Sequence, residues 1–449
     1  MLCRQRAAAV CATAVTGHAP NLFLTNLAMV LCVAAVTTVV FQRLRQPVVL
    51  GYLLAGLIVG PYLPVPLVAD RAMVQAISEL GLVLLLFGIG LEFTLAKLLH
   101  VGATAGIVAV VQVSILLLLG NAAARAFGWS SREALYTGAI VAISSTTIIA
   151  KAFEENRVGG RLRQLVLGVL VVEDLIAVLL LAGFTALSSG NVSAGVLAGT
   201  AGRLALFLLV FLAVGMSTVP RLVRAVVALD RPETTVVACV GLSFGAALIA
   251  QRFGYSIALG AFLAGSLAAE SGRAERIEHL LQPVRDLFAA VFFVSVGMLI
   301  DPALLVRHWA AVLVLTALVI VGKLVGVALP AFLTGAGVRT SIQAGMSLSQ
   351  IGEFSFVIAG LGLSLGATRD FLYPVAVAVS AVTTLLTPWL IRGSGRFAEL
   401  VDRKLPAPLQ TFVALYATWI EGLRASRTRT GIHSATTFVL SCLRLRASA

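Results

Sequence analysis

Long apolar stretches separated by short polar loops repeat along most of this chain. About thirteen of these stretches are long enough to cross a bilayer, which takes about 20 apolar residues in a helix. Glycine and proline mark many of their ends, as in VGPYLPVPLV at 59–68 and LIDPALL at 299–305. The pattern predicts an all-α, polytopic membrane protein with about thirteen transmembrane helices. The predicted spans are 22–42, 47–63, 74–92, 102–120, 134–152, 164–187, 201–220, 234–251, 256–270, 284–300, 308–334, 340–365 and 370–391.

Composition agrees with this prediction and excludes several other classes of protein. Of the 449 residues, 59% are hydrophobic and 12% are charged, whereas a soluble domain carries about 25% charged residues. The five cysteines show no CxxC or other metal spacing, and the five histidines form no HExxH pair. No GxxxxGKS, GxxxxGKT or GxGxxG after a strand is present. We therefore predict no cofactor, no nucleotide binding and no enzymatic activity.

The net charge of +13 is concentrated in loops on one side of the predicted bundle. Loops rich in lysine and arginine face the cytoplasm. This bias predicts a multi-pass protein of the bacterial inner membrane with its N-terminus outside and its C-terminus in the cytoplasm, and no nucleic-acid partner. Residues 1–21 form an N-terminal extension that weakly resembles a signal peptide, and a start at Met29 is the alternative.

Short motifs recur at a nearly constant spacing, which indicates an internal repeat. LGYLLAG at 50–56 returns as LGAFLAG at 259–265, an offset of 209 residues. REALYTG at 132–138 aligns with RTSIQAG at 339–345, and FGIGL at 87–91 with VSVGM at 294–298, both at an offset of 207. The repeat begins at the second predicted span and returns at the ninth, and an odd shift reverses the direction of crossing. Two halves of inverted topology are a transporter architecture with its binding site near the midplane.

Three charged side chains lie near the middle of predicted spans. Glu173 and Asp174 are adjacent in LVVEDLIAVLLL at 170–181, and Lys323 is central in the span 308–334. A charge at the bilayer centre costs about 2.5–3.5 kcal/mol on insertion scales, so these residues are candidates for function. Neighbours on a helix point about 100° apart, so one acid can pair with Lys323 while the other faces a water-filled cavity. A purely structural ion pair is the alternative.

Two spans contain polar runs that indicate interrupted helices, AISSTTII at 142–149 and SLSQIGEFSF at 347–356. Hydroxyl side chains compete with the backbone for hydrogen bonds. The ends of a broken helix offer carbonyl oxygens and partial charges to an ion. Packing between helices is the alternative explanation of serine and threonine in such spans. The candidate site residues of the two runs are Ser144, Ser145, Thr146, Thr147, Ser349, Gln350 and Glu353, and Gly352 lies in the middle of the second run.

Taken together, these motifs resemble the bacterial monovalent cation/proton antiporters, which are related to the sodium/hydrogen exchangers. The chain is similar to the branch that holds glutathione-gated potassium efflux proteins and sodium/proton antiporters. The resemblance covers about residues 25–392. It is carried by LGYLLAGLIVGPY (50–62), ELGLVLLLFGIGLEF (79–93), AISSTTIIAK (142–151), VVEDLIAV (171–178), LGAFLAGSLAAES (259–271), FFVSVGMLID (292–301) and SLSQIGEFSFVI (347–358).

The resemblance implies thirteen helices in a dimerisation domain and a core transport domain, joined by a linker helix. It also implies a homodimer, and a fifth and a twelfth helix that are broken and cross at the midplane. The implied segments are an N-terminal extension (1–21), the dimerisation domain (22–100 and 234–300), the core transport domain (101–187 and 301–392), the linker (188–233) and a basic cytoplasmic tail (393–449) in which 409–424 is compatible with an amphipathic helix.

The resemblance also implies roles for single residues. In the family the second acid of the pair binds the ion, which makes Asp174 the expected ligand of the transported Na⁺ or K⁺, together with groups of residues 144–147. The first acid pairs with a lysine, here Glu173 with Lys323. Residues 349, 350 and 353 are expected to contact the ion-binding residues rather than the ion itself. The chain is thus expected to exchange protons for Na⁺ or K⁺ by alternating access, and a channel-like potassium efflux protein is the alternative.

This sequence departs from the family in two respects. The pair Glu173–Asp174 matches neither the two aspartates of sodium-transporting members nor the Gln–Asp of potassium-efflux members, so the sequence leaves the ion open. The nucleotide-binding domain of the potassium efflux proteins has no counterpart in this sequence, so gating by a nucleotide within the chain is not expected.

Overall fold

A computed structural model describes residues 22–44, 46–62, 71–92, 103–187 and 194–404. The N-terminal extension and the segment 409–424 lie outside these ranges. Within them the ordered secondary structure is helical. The described helices are α1 Leu22–Arg43, α2 Val48–Val59, α3 Arg71–Glu92, α4 Ala103–Ala126, α5 Ser131–Ala142, α6 Thr146–Glu155, α7 Gly160–Leu187, α8 Ala194–Ala228, α9 Pro232–Arg252, α10 Ile257–Ala269, α11 Ala274–Met298, α12 Pro302–Arg307, α13 Trp309–Leu333, α14 Val338–Ser347, α15 Glu353–Ser364 and α16 Leu372–Lys404.

Many of the described helices are suited to a bilayer. Eight of them are long and apolar enough to cross it: α1, α4, α7, α8, α9, α11, α13 and α16. Shorter apolar helices include α2, α10 and α15. Because a bilayer offers no water to exposed backbone groups, helices are the expected way to cross it. The predicted all-α, polytopic membrane protein is therefore confirmed.

Two predicted spans are interrupted in the middle. Helix α5 ends at Ala142 and α6 begins at Thr146, while α14 ends at Ser347 and α15 begins at Glu353. The two interruptions touch, because the Gly352 N–H donates to the Ile143 carbonyl at 3.0 Å. A Cβ at Gly352 would lie 2.5 Å from the Ser144 carbonyl oxygen. Only glycine fits at this crossing, since the neighbouring atoms belong to the backbone and cannot move aside.

The glycines of the repeated motifs bring helices of the two halves into backbone contact. A Cβ on Gly56 of α2 would lie 2.0 Å from the Val294 carbonyl and 2.7 Å from the Cα of Gly297 in α11. A Cβ on Gly265 of α10 would lie 2.1 Å from the Phe87 carbonyl and 2.9 Å from the Cα of Gly90 in α3. Small residues allow such close approach of membrane helices. The motif LGYLLAG of the first half thus packs against VSVGM of the second half, and LGAFLAG of the second half packs against FGIGL of the first.

Helices α11 and α16 extend well beyond the spans that the sequence predicts. Residues 274–283, which precede the predicted span 284–300, form the first turns of α11, because Ile277 and Leu281 bury one face of them. Helix α16 continues past the predicted end at 391 to Lys404. Ile391, Ser394 and Ala398 are buried at helical spacing and hold this extension against the bundle.

The two helices with charged side chains flank the crossing. Helix α7 packs against α6, α14 and α15, and α13 packs against α5 and α14. This arrangement turns the middle of α7 and the middle of α13 towards the same two interruptions.

Candidate functional site

The two adjacent acids of α7 reach different parts of the first interruption. Glu173 and Asp174 are both buried. The Ser144 N–H donates to Oε2 of Glu173 at 2.7 Å, and the Thr146 hydroxyl donates to Oδ2 of Asp174 at 2.8 Å. The acids diverge as neighbours on a helix must. Glu173 receives a charge-assisted hydrogen bond from the chain between α5 and α6, and Asp174 receives one from the first residue of α6.

Lys323 of α13 joins the two interruptions. Its Nζ donates to the Ser144 hydroxyl at 2.6 Å and to the Gln350 carbonyl at 3.0 Å. It lies 4.0 Å from Oε2 of Glu173, and both side chains are fully buried. A buried charge requires a partner of opposite charge and hydrogen bonds. The ammonium therefore depends on Glu173 and on both interrupted helices at once.

The second interruption supplies further polar contacts. The Ser145 hydroxyl donates to Oε2 of Glu353 at 2.7 Å, and Nε2 of Gln350 lies 3.4 Å from the Ser145 carbonyl. The Ser349 hydroxyl instead donates to the Gly345 carbonyl at 2.7 Å, within its own chain segment. Gln350 and Glu353 therefore contact the first interruption, and Ser349 does not. Of the predicted residues, the side chain of Thr147 lies outside the described part of the structure.

Helix ends give the crossing a mixed electrostatic character. Ser145 caps α6, because its hydroxyl accepts the Ile148 N–H at 3.2 Å, and Glu353 occupies the first turn of α15. The N-terminal end of a helix carries partial positive charge, and its C-terminal end carries partial negative charge. The C-terminal ends of α5 and α14 and the N-terminal ends of α6 and α15 lie at the crossing. The N-terminal ends stabilise a carboxylate, and the C-terminal ends offer carbonyl oxygens to a cation.

Several buried side-chain oxygens at the crossing have no hydrogen-bond partner among the described residues, among them Oε1 of Glu173, Oε1 of Gln350 and Oε1 of Gln112. Buried polar atoms in proteins are nearly always satisfied, so an exception requires an explanation. These oxygens are acceptors that a proton or a cation could occupy.

Three polar residues at the crossing escape the sequence analysis. Gln112 of α4 donates through Nε2 to the Ala142 carbonyl at 2.8 Å, at the end of α5. On α16, Thr383 Oγ1 lies 3.4 Å from the Ile351 N–H, and the Ser380 hydroxyl donates to the Ile351 carbonyl at 3.2 Å. Gln112 lies near Ser114, and Ser380 and Thr383 lie near Thr384 and Thr387, in spans that are otherwise apolar. A polar residue near the middle of a span is the signal in the sequence that could have found them.

A separate ion pair lies just before the predicted span 134–152. Glu133 accepts hydrogen bonds from Nε of Arg369 at 2.6 Å and from Nη2 at 2.9 Å. It also forms a capping box with Ser130 at the start of α5. The Arg369 guanidinium, followed by these capping contacts, lowers the pKa of Glu133 from 4.5 to about 2, against the opposing effect of burial. This pair fastens the start of α5 to the loop before α16.

Buried acids at two touching helix interruptions in a polytopic membrane protein define a secondary transporter. The family described as sodium/hydrogen exchanger, transmembrane, matches residues 28–392, and this chain belongs to that family. The family predicted from the sequence is confirmed, and with it the class of cation/proton antiporter.

Individual relatives agree with this assignment. YbaL of Escherichia coli strain K12 is 34% identical over 83% of this chain and 68% of its own length. K(+) efflux antiporter 5 of Arabidopsis thaliana is 32% identical over 82% of this chain and 66% of its own length. The K(+)/H(+) antiporter subunit KhtU of Bacillus subtilis strain 168 is 26% identical over 83% of this chain and 94% of its own length. The chain thus spans about two thirds of the length of the first two relatives.

A solved structure has the same fold. The sodium proton antiporter MjNhaP1 from Methanocaldococcus jannaschii superposes with a TM-score of 0.65 at 17% sequence identity, over 84% of this chain and 98% of that one. At this identity the comparison establishes the fold alone.

Proposed function

We propose that this chain exchanges protons for Na⁺ or K⁺ across the bacterial inner membrane, with Asp174 as the group that binds either. The observation that carries the proposal is the buried Asp174 carboxylate, which accepts a hydrogen bond from Thr146 at the first helix interruption. An ionised carboxylate binds a cation, and a protonated one does not. Competition of proton and cation for one site is the minimum chemistry of antiport.

Glu173 and Lys323 have a different role in this proposal. Their charges lie 4.0 Å apart, and the Ser144 hydroxyl accepts a hydrogen bond from the ammonium. The pair holds the two interruptions together in at least one loading state, and whether it is released in the other decides the stoichiometry. If Glu173 also cycles a proton, the exchange moves net charge and responds to the membrane potential. If Glu173 remains paired throughout, the exchange is electroneutral.

The names of similar proteins support both candidate ions. Two relatives are a K(+) efflux antiporter and a K(+)/H(+) antiporter subunit, and the protein of the same fold is a sodium proton antiporter. The oxygen atoms around Asp174 suit either ion, because Na⁺ and K⁺ differ in the size and number of ligands that they prefer.

The proposed architecture has thirteen transmembrane helices in two inverted repeats, with interrupted spans counted once. The dimerisation domain (22–100 and 234–300) pairs two copies, and the core (101–187 and 301–392) rocks against it around the linker (188–233). The reciprocal contacts of Gly56 with Gly297 and of Gly90 with Gly265 support this symmetry, because a pseudo-two-fold axis exchanges the two pairs. The N-terminus lies outside, and the tail (393–449) lies in the cytoplasm.

The decisive experiment measures proton movement in proteoliposomes with a pH dye while Na⁺, K⁺ or Li⁺ is added in turn, with and without an ionophore that clamps the potential. We expect cation-triggered proton movement in the native protein and none in Asp174→Asn, because the amide cannot ionise. Glu79→Gln, an exposed acid of α3, is the matched control. Normal exchange by Asp174→Asn would refute the site, and cation flux without coupled proton movement would favour a channel.

A further inference from the structure

A long apolar groove lies on the membrane side of the linker helix α8. It has a volume of about 690 Å³ and is formed by α8, α9, α10 and the chain between α9 and α10. Val210 and Val214 of α8 and Ile249 of α9 line it and are about half exposed. The Thr218 hydroxyl in its wall already donates to the Val214 carbonyl. The interior therefore offers hydrocarbon contacts and almost no polar ones.

One end of the groove lies at a membrane interface. Helix α9 ends at Arg252, and Arg203, Phe253 and Tyr255 line the groove at this level. Tyrosine is enriched where a membrane meets water, because its ring is apolar and its hydroxyl is polar. Within the described residues, no carboxylate forms an ion pair with Arg203. A free cation at the mouth of an apolar groove suits an anionic headgroup.

The groove runs along α8 from Arg203 to Val219, which is about 24 Å at 1.5 Å per residue. An extended hydrocarbon chain can lie along this length with its headgroup at Arg203.

We propose that this groove binds one acyl chain of an anionic phospholipid, with Arg203 holding the phosphate of its headgroup. Lipid is the solvent around α8, and a groove open to lipid fills with it. The acyl chain lies between the linker helix and the helices α9 and α10. This binding site is independent of the ion site and does not rest on the exchange reaction.

The test fills the groove without disturbing its walls. No atom lies within 4 Å of a Cβ built on Gly245, which lines the groove, or on Gly241, which lies one turn away on α9 outside the groove. Gly245→Leu therefore occupies the groove, and Gly241→Leu is the matched control. Arg203→Ala removes the headgroup contact, and Arg252→Ala removes an exposed arginine at the same interface that does not line the groove.

The measurement is native mass spectrometry of the full chain after exchange into nanodiscs of phosphatidylglycerol or phosphatidylcholine. We expect the native protein and Gly241→Leu to retain one phosphatidylglycerol molecule and Gly245→Leu to lose it. Arg203→Ala should reduce the preference for phosphatidylglycerol over phosphatidylcholine about fivefold, and Arg252→Ala should leave it unchanged.

Two results would overturn the proposal. One is equal lipid retention by Gly245→Leu and Gly241→Leu. The other is a change from dimer to monomer in Gly245→Leu alone with no lipid lost, which would assign the groove to a second copy of the chain. Elution profiles and thermal unfolding of all four variants check that each is folded, so a lost lipid cannot be ascribed to a lost fold.

Discussion

Lys323 is a buried charged side chain whose contacts join the two helix interruptions. Its ammonium is buried, hydrogen-bonded to Ser144 and Gln350, and 4.0 Å from Glu173. Removing one partner of a buried ion pair costs about 3–5 kcal/mol, because the other charge is left without compensation. We expect Lys323→Met to lower the melting temperature strongly in detergent.

A second substitution separates this cause from lost packing. Glu173→Gln in the Lys323→Met background removes the uncompensated charge, so the double variant should be more stable than Lys323→Met alone. Equal melting temperatures for the double and single variants would mean that Lys323 stabilises through its contacts with Ser144 and Gln350 rather than through Glu173.

Glu133 provides a prediction with a defined pH range. Arg369 lowers the pKa of this carboxyl from 4.5 to about 2, so its ionised form stabilises the fold above about pH 4.5, and that contribution is lost as the pH falls towards about 2. At neutral pH, Glu133→Gln should cost about 1.5–3 kcal/mol, the usual value for a hydrogen bond to a charged group. The difference in melting temperature between native protein and variant should shrink on acidification.

The control for this prediction is another glutamate–arginine pair. Glu399 contacts Arg339 at 3.2 Å, but both side chains are more than half exposed. Exposed pairs contribute about 0–1 kcal/mol, so Glu399→Gln should change little at any pH. A loss as large as that of Glu133→Gln would show that removal of any acid, and not loss of the contact between buried Glu133 and Arg369, destabilises the protein.

The interruptions of α5–α6 and α14–α15 depend on Gly352. A methyl group there would lie 2.5 Å from the Ser144 carbonyl oxygen, and overpacking of this kind costs about 1–3 kcal/mol. We expect Gly352→Ala to lower the melting temperature and to stop exchange, because the added methyl group would push the two helix interruptions apart. Gly360→Ala, on the same α15, is the matched control, since its Cβ would meet only the Tyr373 ring at 3.5 Å. Full exchange activity in Gly352→Ala would contradict this account.

Both interruptions could be predicted from the sequence, whereas their register could not. Runs of hydroxyls and Gly352 indicated where the helices break, because these residues compete with or abandon the helical backbone. The pairing of Ser145 with Glu353, 208 residues apart, depends on how α5 and α15 cross, and no local pattern contains that information. Gln112 and Thr383 were missed for the same reason, since a polar residue in an apolar span is as compatible with helix packing as with a site.

The ends of two helices show where local reading fails. Residues 274–283 lie before the predicted span 284–300, but Ile277 and Leu281 pack against the bundle and make this segment helical. Hydropathy alone ended the last span near 391, although α16 continues to Lys404. In both places the helix boundary is determined by tertiary packing of one helical face. The average hydropathy of the segment does not reveal that face.

Four glycines hold the two halves of the molecule together. A Cβ at Gly56, Gly297, Gly90 or Gly265 would lie within 2.3 Å of a carbonyl oxygen of the facing helix. Each substitution by alanine should lower the free energy of unfolding by about 1–3 kcal/mol, which a lower melting temperature would report. Gly183→Ala, with no atom within 4 Å of its Cβ, should be neutral or slightly stabilising, because alanine favours helices.

Pairs of these substitutions test whether the contacts are reciprocal. Gly56→Ala with Gly297→Ala should deviate from additivity, because both alter one contact, whereas Gly56→Ala with Gly265→Ala should add. Additive effects in both pairs would mean that the two glycines of a contact act separately and that the symmetry of the motifs is not reflected in the energetics.

The glycine contacts also constrain how this sequence can change over time. A larger residue in an ordinary core can be tolerated after a second mutation that shortens its neighbour. At Gly56 and Gly265 the atoms in the way are the carbonyl oxygens of Val294 and Phe87, and every amino acid carries a carbonyl oxygen. No second-site mutation can remove these oxygens. Compensating mutations, which allow other positions in a membrane bundle to change, are therefore not available at these two glycines.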